Sequence, residues 1–132
     1  MKTYSYKDAP LKIYGLPCFE KNAKLERLPE EVRKAVPTLE FLGRRPVGAR
    51  ICFKTNSKNI KLKMELETLS VDKGMSIFAC QSVNVMVGER TKARFIGLLS
   101  PEDYENKMVE KTFKKSEAME DVTLWLPRND LY

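Results

Sequence analysis

The chemistry open to this chain is set first by a missing residue: none of its 132 residues is a histidine. A serine or cysteine nucleophile needs a neighbouring base that accepts a proton near neutral pH, and imidazole is the usual choice. Only Lys, Asp, Glu or Tyr could serve instead. No Gly-x-Ser-x-Gly turn is present to hold a nucleophile. Neither GxGxxG nor GxxxxGKS/T occurs, and six glycines spread along the chain build no phosphate cradle. Glu102, Asp103 and Glu105 crowd one stretch. A glycosidase needs two carboxylates facing each other across a cleft, whereas neighbouring loop carboxylates are ordinarily just solvated. Cys18, Cys52 and Cys80 are far apart, odd in number and form no CxxC. Without histidine they suggest no zinc site and fit free buried thiols in a reducing cytosol. The expectation is a chain with no cofactor, no metal and no catalysis of its own.

Binding chemistry is the next possibility. Lys and Arg total 24 against 18 Asp and Glu, a net charge of +6. The surplus lies in residues 1–100; residues 101–132 reverse it, with five basic and eight acidic side chains. Two basic clusters stand out, Arg44-Arg45 beside Phe41 and Lys111 to Lys115 around Phe113. A nucleic-acid surface would want both on one face with the aromatics free to stack. Acidic neighbours at Glu110, Glu117, Glu120 and Asp121 favour ordinary sheet-surface charges, so no nucleic-acid partner is expected. In Val122-Thr123-Leu124-Trp125-Leu126, alternation turns Val122, Leu124 and Leu126 to the core and the single tryptophan, Trp125, away from it. Trp125 is then covered by the N-terminal third of the chain, buried in a domain interface, or offered to a ligand.

The elements that must carry these residues are mostly strands. Residues 1–10 are a polar lead-in, and 11–132 form one domain of ordinary size. Leu11-Lys12-Ile13-Tyr14 alternates and is closed by Gly15 and Pro17. Residues 27–36 are the one clear helical stretch, with Pro29 in the first turn, Glu30 and Glu31 at its positive end and Arg33 and Lys34 at the other. Strands are expected at 50–55, 60–67, 76–79, 83–87, 93–99, 108–113 and 122–126. The clearest is the period of two over eight residues in which Ile60, Leu62, Met64 and Leu66 alternate with Lys61, Lys63, Glu65 and Glu67. Thr55-Asn56-Ser57 and Asp72-Lys73-Gly74 supply turns. Leu131-Tyr132 looks like the opening of a further strand, which suggests a fragment of something longer. The fold class expected is all-β, a jelly-roll-like β-sandwich of two antiparallel sheets with one short helix. No apolar run is long enough to span a membrane, and the first residues have no signal-peptide core.

Four ordered blocks carry a family resemblance: Tyr14-Gly15-Leu16-Pro17-Cys18-Phe19-Glu20, Leu25-Glu26-Arg27-Leu28-Pro29, Arg50-Ile51-Cys52-Phe53-Lys54-Thr55-Asn56-Ser57 and Val122-Thr123-Leu124-Trp125-Leu126-Pro127. Their order and spacing resemble the N-terminal β-sandwich domain that precedes the catalytic domain of many SGNH/GDSL-type esterases. The resemblance covers about residues 8–132. It implies a cytoplasmic, non-catalytic accessory domain resembling a carbohydrate-binding module. The partner implied is a downstream SGNH domain of the same polypeptide, which holds the catalytic serine and acts on an ester of a carbohydrate-like compound. On this reading Trp125, Tyr14, Pro17 and Phe19 form the domain interface, and Thr55, Asn56 and Ser57 are candidates for ligand contact or simply for turn formation. A Gly-x-Asp-Leu-Tyr-like stretch is expected in such domains. Ser82-Val83-Asn84-Val85-Met86, at the place the resemblance assigns to it, lacks the glycine, the acid and the aromatic. Asn129-Asp130-Leu131-Tyr132 looks like the motif but sits late in the chain. The alternative reading is a stand-alone carbohydrate- or protein-binding module.

Overall fold

The computed structural model describes residues 2–22, 24–67, 74–103 and 105–127. The Asp72-Lys73 turn, Tyr104 and residues 129–132 with their motif therefore lie outside the described residues. Among the described residues, seven strands run in chain order: β1 (Lys12–Tyr14), β2 (Arg50–Thr55), β3 (Asn59–Glu65), β4 (Val83–Val87), β5 (Arg94–Leu99), β6 (Met108–Lys114) and β7 (Glu120–Trp125). They form two antiparallel sheets, one of five strands in the order β1-β2-β7-β4-β5 and one of two, β3-β6. The protein is an all-β sandwich. Period-two patterns set it most clearly in β4 and β7, where Val83, Val85 and Val87 and then Val122 and Leu124 turn inward and are buried.

The core lies between the sheets. Val85, Val87 and Val122 of the large sheet are fully buried, and Leu66, Met64 and Phe113 close over them from the small sheet side. Each such side chain contributes about 1.5–3 kcal/mol on leaving water. Gly97, opposite Val85, faces the small sheet closely: a Cβ there would lie 2.9 Å from the Phe113 ring, and its φ of 150° is unfavourable for other residues. A second, smaller cluster of Leu16, Leu25 and Ala49 lies at one end, with Tyr6, Ile13, Phe19 and Leu126 packed on it. Tyr6 thus ties the lead-in to both clusters.

Helix is more plentiful than one stretch. Besides α2 (Glu30–Ala35), single turns form at α1 (Phe19–Asn22) and α3 (Leu39–Leu42), and α4 covers Ile77–Gln81. The strand expected at 76–79 is therefore corrected to helix. Ser76 is its N-cap, with Oγ accepting from the Ala79 N–H at 3.3 Å, and Cys80 and Gln81 are its buried residues. The helical segment is pinned by a buried ion network. Glu26 accepts from Arg33 Nη2 and Arg44 Nε, both at 3.1 Å, and Arg44 Nη2 reaches both Glu67 oxygens at 2.8 Å.

Candidate functional site

The outer face of the five-stranded sheet is where the side chains turned away from the core collect. Its register sets Tyr14 opposite Arg50, Arg50 opposite Trp125 and Trp125 opposite Asn84. The next row holds Lys12, Cys52, Thr123, Met86 and, after a bulge in β5, Phe95. Tyr14 is 45% exposed, Trp125 39% and Phe95 57%. The guanidinium carbon of Arg50 sits 5.1 Å from the Tyr14 ring centre and 5.2 Å from that of Trp125. Each cation–π contact is worth about 0.5–1 kcal/mol at an exposed site and fixes the long Arg side chain in place.

Local backbone explains how this row is presented. Gly15 follows Tyr14 with φ of 82°, and a Cβ on it would meet the Gly48 carbonyl at 2.6 Å. The two chain segments therefore touch just past the Tyr14–Arg50 pair. The Leu126 N–H donates to the Ala49 carbonyl at 3.0 Å, and buried Pro127 follows. The chain thus leaves β7 at the end of the sheet that carries Arg50, Tyr14 and Trp125.

Of the interface residues expected from sequence, Tyr14 and Trp125 come together around Arg50, and neither is covered by the N-terminal segment. Pro17 is exposed beyond Gly15, whereas Phe19 turns inward, half-buried on the second cluster and edge-on to Tyr6 at 6.1 Å. Thr55, Asn56 and Ser57 stand at the opposite end of β2, about 17 Å from Arg50 at the rise of a strand. There the Thr55 hydroxyl accepts from the Ser57 N–H at 3.0 Å, a turn contact. Arg50 was the residue missed by sequence reasoning. Its place on the outer face follows from the inward Ile51 and Phe53, but its pairing with Trp125 needs the register of strands far apart in sequence.

The remaining candidates are engaged internally. Arg44 pairs with Glu26 and Glu67, and Arg45 lies over the Phe41 ring at 4.8 Å. Lys115 is corrected from a surface charge to a buried one: its ammonium donates to the Ser116 and Ala118 carbonyls at 2.7 Å each. Asp103 Oδ1 accepts from the Glu105 and Asn106 N–H groups, both at 2.9 Å, and these bonds lower its pKa. It is therefore held ionised in a turn rather than poised as an acid. Glu120, at the far end of β7, has its pKa pulled down to about 2 by Arg94 first and then by the Ser116 hydroxyl. Cys80 is buried, while Cys18 and Cys52 are half-buried rather than buried as expected. An apolar cavity of about 480 Å³ opens between the sheets under Tyr4 and Tyr6. Its described polar lining is Ser5, Lys63, Glu65 and Glu67 with the two tyrosines, and the Ser5 hydroxyl oxygen accepts from the Lys7 backbone N–H at 3.4 Å.

A family model described as GxDLY, the N-terminus of SGNH-hydrolase-type esterases, matches residues 1–131. The chain belongs to this family. Members are N-terminal parts of SGNH-type esterases, and this one has the all-β sandwich. Among solved structures, a Bacteroides ovatus protein described as a GDSL-like lipase superposes with a TM-score of 0.78 at 21% identity, over 91% of this chain. The GxDLY chain spans only 35% of the length of that protein. No curated protein sequence matches it. Among the described residues, no helix is long and apolar enough to cross a membrane.

Proposed function

We propose that this chain is the non-catalytic N-terminal accessory domain of a cytoplasmic SGNH/GDSL-type esterase, and that it packs on the downstream catalytic domain through the outer face of its five-stranded sheet. The catalytic domain supplies the serine and its base. It hydrolyses an ester on a carbohydrate-like compound, and the sandwich helps shape one wall of the cleft. Residues 11–132 act as the domain and 1–10 as its lead-in. The observation that carries this reading is the exposed row of Tyr14, Arg50 and Trp125 at the end of the sheet from which the chain departs. Exposed aromatic and arginine side chains in one patch are what protein interfaces favour. Membership of the GxDLY family supports the identity of the partner. The test is co-elution of the 132-residue chain with the separately produced SGNH domain. A one-to-one complex is expected, and independent elution at micromolar concentrations of both would overturn the reading.

The second reading is a stand-alone carbohydrate- or protein-binding module. It is favoured by Tyr14 and Trp125 alone, since two exposed rings on the outer face of a sheet are a surface on which sugars stack. Because Trp125 is the single tryptophan, a saccharide bound there would shift the intrinsic emission of the 132-residue chain. Unchanged emission across neutral and acidic oligosaccharides would remove it.

A further inference from the structure

We infer that Arg50 is the anchoring cation of the interdomain contact, and that the SGNH domain presents an aspartate or glutamate carboxylate to it between the rings of Tyr14 and Trp125. The inference rests on the accessory-domain reading and adds the chemistry of the partner surface.

Like Arg27, Arg45 and Arg90, Arg50 makes no ion pair among the described residues; it is set apart by a guanidinium that lies against two exposed rings, Tyr14 and Trp125. Arg33, Arg44 and Arg94 each meet a glutamate within 3.3 Å. Among the described residues no carboxylate or carbonyl meets the Arg50 guanidinium; its contacts are the two aromatic rings. This is not a floppy surface cation. Arg50 starts a strand, is half-buried, and lies between neighbours on both sides in the sheet. Its planar fork is therefore held in one place with donors unused, and little further side-chain freedom is lost when it binds.

The charge of the face points the same way. Lys12, one row along from Tyr14, is also without an anion among the described residues, whereas Lys54 at the far end has Asp121 at 3.8 Å. The uncompensated positive charge is thus gathered at the end where the chain departs. A partner that buried Tyr14 and Trp125 would bury Arg50 with them. Removing a guanidinium from water without an anion is costly, so a docking surface that omitted one would bind poorly. A carboxylate answers the fork bidentately.

Hydroxyl-radical footprinting with mass spectrometry tests this, because it reads oxidation of Tyr14 and Trp125 individually. The comparison is between the 132-residue chain and the polypeptide that continues through the SGNH domain. For each variant the measured quantity is the ratio of oxidation rates in the two. With Arg50 intact, both rings are expected to be protected in the longer polypeptide. Arg50→Leu keeps the apolar stem and removes the charge; it is expected to lose that protection, docking being weakened on the order of tenfold or more. Arg50→Lys keeps the charge without the fork and is expected to regain only part. Equal protection in Arg50→Leu and the parent would overturn the inference and leave the accessory-domain reading standing. Equal oxidation of the parent rings in the short and long polypeptides would overturn the reading itself.

Discussion

Arg50 and Trp125 stand directly opposite each other on β2 and β7, with the guanidinium 5.2 Å from the indole ring on the solvent side of the sheet. The same register sets Ile51 against Leu124 on the inner side, where both are buried. One strand pair therefore does two jobs. Its inner residues hold the sandwich together, and its outer ones remain available to something else. The two jobs can be separated by mutation.

Trp125→Ala is expected to cost the 132-residue chain about 1 kcal/mol, the scale of one exposed cation–π contact and some ring packing. Phe113→Ala, in the core and 3% exposed, is expected to cost about 3–5 kcal/mol. Urea denaturation of the two variants checks the contrast. Equal losses would mark Trp125 as part of the core and remove the main support for an interface.

Glu26→Ala should be among the most damaging polar substitutions. Its side chain is 8% exposed and holds two arginines, so removal leaves the buried Arg33 to the exposed Glu40 alone and Arg44 to Glu67 alone. Breaking one partner of a buried pair costs about 3–5 kcal/mol. The exposed Lys21–Glu31 pair provides the control, and Glu31→Ala is expected to cost about 0–1 kcal/mol. Thermal melts of both variants decide it.

Glu120 gives the stability a defined pH dependence. Arg94 and Ser116 hold its pKa at about 2, below the usual 4.5. A depressed carboxyl binds its proton more readily in the unfolded chain. Its stabilisation is therefore fully present above pH 4.5 and is lost as pH falls from there through about 2. Glu120→Gln should flatten the stability profile over that window and leave its shape near neutrality unchanged. A profile identical to the parent's between pH 4.5 and 2 would contradict the assignment.

Gly97→Ala is expected to destabilise by more than about 1 kcal/mol, because the new Cβ lies 2.9 Å from the Phe113 ring and the backbone is at φ 150°. Combining it with Phe113→Leu should recover part of the loss, since the ring is the obstacle. Additive losses in the double variant would locate the cost wholly in the backbone.

Much of the fold was legible because its signal is local. Strands at 50–55 and 83–87 fall where the alternation puts them, and β3 begins one residue before the expected 60. Ser76 to Ala79 misled because a short apolar run has no readable period; the serine cap decided for helix. The single turns at Phe19–Asn22 and Leu39–Leu42 carry little propensity signal, and α3 lies in the segment that Glu26, Arg33 and Arg44 hold in place. Trp125 could be read as outward from its own strand. Arg50 beside it could not, because that neighbour comes from a pairing 75 positions away along the chain.

Hydrolysis of nitrophenyl acetate is the most direct check on the division of labour. The purified 132-residue chain is expected to match a protein-free blank, and the polypeptide that continues through the SGNH domain is expected to turn the ester over. Serine-dependent turnover by the short chain would contradict the account.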